Sequence, residues 1–122
     1  MRSALLLLLL AACRGGARRT EDPGARRSQG DACFERGEFV AAVSHYEEAL
    51  RQSPAHPKVL LRLGQCWESL GITSRAIPCY EQLLHAAPQS PEAPKAREQL
   101  DRLRELEKWD PNAGPPPEVI LD

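Results

Sequence analysis

The chain has 122 residues and a formal charge of -1, which is room for one domain and no strongly basic face. That balance, with only two each of Phe, Trp and Tyr, argues against binding nucleic acid, which needs a cationic surface and rings for base stacking. Four cysteines (Cys13, Cys33, Cys66, Cys79) include no Cys-x-x-Cys pair, and His45, His56 and His85 are scattered. No metal site and no cofactor are expected from that distribution.

Residues 1–12 carry one cation, Arg2, then an apolar run from Ala4 to Leu10 and two small residues ahead of Cys13. The run is too short for a membrane span, which needs about 20 apolar residues, and has the layout of a secretory signal. The tetrad Leu10-Ala11-Ala12-Cys13 resembles the lipobox of bacterial lipoproteins. That resemblance implies lipidation of the Cys13 thiol and cleavage after Ala12. Arg14 follows where an inner-membrane retention signal would carry aspartate, which by analogy implies the outer membrane, facing the periplasm. An ordinary secretory signal with a coincidental cysteine is the alternative. Residues 13–23 are rich in Gly, Ala and Arg without apolar period and read as a flexible, locally basic tether.

Two similar helical units follow, at about residues 24–56 and 57–90. The first helix of the first unit is weak in apolar residues and leans on Ala32, Cys33 and Phe34. Gly37 marks a turn, and Phe39, Ala42, Val43, Tyr46, Ala49 and Leu50 form the next stripe, closed by Pro54. In the second unit Val59, Leu60, Leu63, Cys66, Trp67 and Leu70 recur at steps of three and four before Gly71. Thr73 or Ser74 offers an N-cap for a helix with Ala76, Ile77, Tyr80, Leu83, Leu84 and Ala87 on one face. Pro78 lies early in that helix and predicts a delayed start or a slight bend. Residues 91–109 form one amphipathic helix with Ala93, Ala96, Leu100, Leu103 and Leu106 as its stripe and a charged opposite side, a cap for the stack. Residues 110–122 are a Pro-rich tail ending in the apolar Val119-Ile120-Leu121, which either packs back, binds or dangles.

Shifting the chain by 34 residues superposes Gly30 on Gly64, Gly37 on Gly71, Ala42 on Ala76, Tyr46 on Tyr80, Leu50 on Leu84 and Pro54 on Pro88. This period with helix–turn–helix content resembles the tetratricopeptide repeat. The expected fold is all-α, a short helical-hairpin solenoid of two repeats plus a C-terminal capping helix. The family's usual tryptophan early in the first helix is absent, with Arg26 and Leu60 at those places. The resemblance implies a ligand groove lined by the first helix of each repeat. Carried over by position, the groove takes Arg27, Asp31, Phe34 and Glu35 from the first unit and Lys58, Leu61, Gln65, Glu68 and Ser69 from the second. The cap helix adds Lys95, Gln99 and Arg102. Some members of the family clamp a peptide carboxylate; Lys58 and Arg62 resemble two of the cations used, while Asp31 stands where an asparagine would help.

Cys33, Cys66 and Cys79 read as buried small apolar side chains, or as one Cys66–Cys79 disulfide with a thiol left over. There is no phosphate-cradling glycine loop, Gly-x-Ser-x-Gly elbow or His-Glu-x-x-His, so no enzyme and no small-molecule substrate are expected. The expectation is a lipid-anchored adaptor of the bacterial envelope that holds a protein or peptide partner in an outer-membrane assembly, pilus or secretion complex. A self-associating spacer lipoprotein is the alternative.

Overall fold

The computed structural model describes residues 22–109 together with Asn112 and Gly114. Cys13 and the Val119-Ile120-Leu121 segment lie outside the described residues. Five helices follow one another: α1 (Pro23–Glu35), α2 (Phe39–Gln52), α3 (Pro57–Ser69), α4 (Thr73–Ala86) and α5 (Ala93–Lys108). Helices α1/α2 and α3/α4 form two hairpins that stack through α2 and α3, and α5 closes the stack against α4 and, more lightly, α3. No strand occurs among the described residues.

Local chemistry explains most of the boundaries. The Asp22 carboxylate accepts the Gly24 N–H at 3.1 Å, and Pro23 opens α1 with a φ already suited to a helix. Asp22 and Pro23, expected in the tether, are thus the cap and first residue of a helix. Both hairpin turns use one device. Gly37 and Gly71 each adopt φ +76°, and the next residue's N–H reaches back five positions, Glu38 to Cys33 at 2.9 Å and Ile72 to Trp67 at 2.8 Å. Such a helix ending satisfies carbonyls that would otherwise lack partners and needs a left-handed residue that glycine supplies without strain.

Five more expectations are corrected. Helix α4 begins at Thr73, so Ile72 holds the cap position, with no side-chain hydrogen bond from it; Thr73 and Ser74 are already helical. Pro78 does not delay that start, because it is the sixth residue of an unbroken helix. The acceptor its ring leaves without an N–H, the Ser74 carbonyl, belongs to an exposed residue where water can serve. Ala32 is exposed, and Gly30 and Cys33 make the buried face of α1 instead. Leu106 is 36% exposed because the stripe of α5 outruns the helices beneath it after Leu103. The cap helix also starts at Ala93 and not Pro91, since Ser90 turns the chain first, its hydroxyl donating to the Ala87 carbonyl at 2.7 Å.

Two apolar clusters divide the core. One gathers Cys33, Ala42, Val43, Tyr46, Ala49, Val59, Leu63, Cys66 and Cys79 where the hairpins meet. The other gathers Leu60, Ala76, Tyr80, Leu83 and the α5 side chains Ala93, Ala96, Leu100 and Leu103. Cys33, Cys66 and Cys79 are free thiols buried in this packing, which is the small-apolar role and not the Cys66–Cys79 disulfide. Burial pushes the Cys66 thiol up to about 12 and the Cys79 thiol up to about 11, so neither is a nucleophile near neutral pH. Tyr46 and Tyr80 are fully buried, each with its ring laid on the glycine of its own hairpin, Gly30 and Gly64.

Candidate binding face

Because successive helices alternate, α1, α3 and α5 present a common face, and side chains bridge it from one end to the other. Arg62 of α3 reaches Glu35 of α1 at 3.7 Å and lies over the Phe34 ring, 4.4 Å from its centroid. Phe34 in turn meets Phe39 edge-on at 5.6 Å. Arg102 of α5 pairs with Glu68 of α3 and with Gln99 one turn earlier on its own helix. These contacts hold two clusters on one surface, Phe34–Glu35–Arg62 and Glu68–Gln99–Arg102.

The two repeats anchor their tyrosine hydroxyls differently. Tyr46 donates to Asp31 at 2.5 Å, whereas Tyr80 donates to Glu68. In register, Asp31 corresponds to Gln65 and Glu68 to Phe34, so the acid that takes the tyrosine hydroxyl sits one turn later in the second repeat. Burial and these carboxylates, in that order, push both phenols well above the usual tyrosine range. Glu68 therefore joins three helices: it accepts from Tyr80 of α4 and from Arg102 of α5 while standing on α3. Its side chain is 15% exposed and that of Arg102 37%. Replacing Arg102 with alanine is expected to cost about 1–2 kcal/mol, because a half-buried carboxylate loses its cation. Thermal melts check this, and a melt unchanged by Arg102→Ala would show the pair to be incidental.

The other expected groove residues are spread around these clusters. Gln65 is half-buried and Lys58 exposed, with no ion pair to Lys58 among the described residues. Lys95 pairs with Glu98 at 3.8 Å on α5 itself. Leu61, singled out as an apolar side chain on a polar face, packs against the second core cluster. Ser69 is exposed at the end of α3. Arg27 turns to the hairpin's far end, its Nη1 2.9 Å from His56 Nε2, beside a cleft of about 560 Å³ with Gln52 and Ser53. His56 Nδ1 also lies 3.4 Å from the Val59 N–H at the start of α3. Asp31 is no free ligand group, since the Tyr46 hydroxyl occupies it, and Arg62 is committed to Phe34 and Glu35; a carboxylate clamp is not preassembled.

Sequence reasoning missed the His56 contacts and the inward-facing role of Asp31 and Glu68. A signal for the second existed: each tyrosine lies 12 or 15 residues after an acid of the preceding helix.

No cluster of three or more possible metal-ligating side chains occurs among the described residues. Stacked helical hairpins with one face tied together by polar side chains define the class of repeat solenoids that bind other proteins. One tetratricopeptide repeat model matches residues 34–100 and a second matches residues 8–57. The chain belongs to the tetratricopeptide repeat family, and its architecture is that of a protein–protein interaction module. No curated protein and no solved structure matches it.

Proposed function

We propose that this protein is a non-enzymatic adaptor, lipid-anchored in the bacterial cell envelope, that holds a segment of a partner protein on its α1–α3–α5 face. The observation that carries the binding half is the bridged row on that face, from Phe34 under Arg62 to Glu68 beside Arg102. Of the cations on that face, Arg62, Lys95 and Arg102 are held by Glu35, Glu98 and Glu68, while the exposed Lys58 has no ion pair among the described residues. An extended peptide with a carboxylate for Lys58 and an apolar side chain for Phe34 suits this face. The anchoring half rests on the sequence Leu10-Ala11-Ala12-Cys13 behind its apolar run, and on Arg14 for the outer membrane. Partners in an outer-membrane assembly, pilus or secretion complex fit a module of two hairpins, whose short groove alone gives modest affinity.

Crosslinking and affinity capture from envelopes, with the anchor intact, test the binding half. A partner is expected to be retained by the native protein and lost, by tenfold or more, from the exposed pair Lys58→Glu/Lys95→Glu, whose melting should stay close to native. Equal capture by both would remove the face from the argument. Mass spectrometry of the mature N-terminus tests the anchor: a diacylglyceryl-modified Cys13 is expected, and an unmodified N-terminus at another residue would end that half. Light scattering at micromolar concentration separates the adaptor from a self-associating spacer, the adaptor being a monomer.

A further inference from the structure

On another side of the module, at the turn end of the first hairpin, Phe39, Val40 and Ala41 from the start of α2 and Leu70 after α3 line a shallow hollow. Its volume is about 560 Å³, with Glu38 and Ser44 at the rim. Val40 is 71% exposed, the most open of the large apolar side chains among the described residues. The repeat does not require it, since Ser74 occupies the matching place in the second hairpin. Scattered apolar side chains on a surface need no explanation, but a hollow lined by four of them is a candidate contact.

The chain itself supplies a segment of the right chemistry at the right distance. Arg102 touches Glu68, two residues before Leu70, so the last turns of α5 run toward the end of the module where the hollow opens. Just beyond α5, the Trp109 Nε1–H donates to the Gly114 carbonyl at 3.2 Å, which holds residue 114 beside the helix end. Val119-Ile120-Leu121 lies five to seven residues further on, and Pro115, Pro116 and Pro117 fall between. At about 3.1 Å per residue, a polyproline-type stretch of that length spans about 16–22 Å. The hollow lies two helix spacings from α5, across α3 to α2, or about 16–20 Å at 8–10 Å each. Glu118 and Asp122 flank the apolar triplet. Glu38, the acid at the rim, is already paired with Arg36 at 3.2 Å.

We infer that the hollow formed by Phe39, Val40, Ala41 and Leu70 is the intramolecular seat of Val119-Ile120-Leu121. The segment straps the C-terminal side of the cap helix back across α3 to the first hairpin. The test places the photoreactive residue p-benzoyl-phenylalanine at Ser44, on the rim, in the full mature chain. Irradiation is expected to give a product of monomer mass whose crosslinked peptide contains residues 118–122, at a yield independent of protein concentration. Ile120→Asp should abolish it while leaving the far-UV circular dichroism unchanged. A dimer-mass product that grows with concentration would overturn the intramolecular seat in favour of a second copy, and no crosslink to the segment would overturn docking altogether. Because the probe is bulky, a second measurement uses the chain without it. The Val40 and Leu70 methyl resonances are expected to shift in Ile120→Asp, and unmoved methyls would likewise sink the proposal.

Discussion

Gly64→Ala is expected to lower the melting temperature by roughly 10 °C, although alanine is the better helix former. A Cβ built on Gly64 would lie 2.6 Å from Cε1 and 2.7 Å from Cζ of Tyr80. Those are separations that bonded geometry cannot relax, and the ring they press on is fully buried with Leu83, Ala96 and Leu100 in its cluster. Overpacking of this kind costs about 1–3 kcal/mol, and alanine's helix propensity returns up to about 1 kcal/mol. For a domain of this size each lost kcal/mol moves the melt by about 4–8 °C. A leucine at the same place is expected to prevent folding at 37 °C. Removing the obstruction is the control: Tyr80→Leu should cost less in the Gly64→Ala background than in the native chain, a non-additivity that reports direct contact. The first hairpin makes the same prediction, since a Cβ on Gly30 would lie 2.6 Å from Tyr46. A melt untouched by Gly64→Ala would mean that the ring does not sit on the glycine.

The second large effect is a steep loss of stability in alkali. Burial holds Tyr46 and Tyr80 neutral far above their usual range, and pushes Cys66 up to about 12 and Cys79 up to about 11. In the unfolded chain these groups ionise near pH 8.5–9 for the thiols and near pH 10 for the phenols. Below those values both states are equally protonated and the contribution is complete. Above them the unfolded chain binds fewer protons than the native one, so stability falls as pH rises. Each such group contributes a slope of about 1.4 kcal/mol per pH unit. The melting temperature is therefore expected to be flat between pH 7 and 8, to decline from about pH 9 as the thiols titrate, and to steepen past pH 10. Tyr80→Phe should remove one proton from the upper slope. A melting temperature constant to pH 11 would contradict the burial of all four groups.

These two results probe the parts of the molecule that were easiest to read beforehand. The glycine and tyrosine of each hairpin recur at a spacing of 34 because the same steric problem recurs: a ring must fit where two helix backbones approach, and only a residue without Cβ admits it. Gly37 and Gly71 were equally legible, since a left-handed turn residue is a backbone demand met within a few neighbours. The cap helix followed from its own stripe, apart from Leu106, whose exposure depends on where the helices beneath it stop. The start of α4 was misread because good capping residues, Thr73 and Ser74, are available and unused; with Gly71 fixing the turn, the helix begins as soon as the chain leaves it.

The binding face was legible as a set of helix positions and not as an arrangement. By itself the sequence determined the fold class, the count and order of helices, the small-residue contacts within each hairpin and the period that stacks them, because these depend on local backbone geometry and on stripes within single helices. Only the tertiary structure decided that Asp31 and Glu68 turn inward to Tyr46 and Tyr80, that Arg62 lies over Phe34, that Arg102 ties α5 to α3, and that Leu61 packs against the core. Each is a meeting between side chains of different helices. Long polar side chains reach several partners at nearly equal cost, and the packing around them selects one.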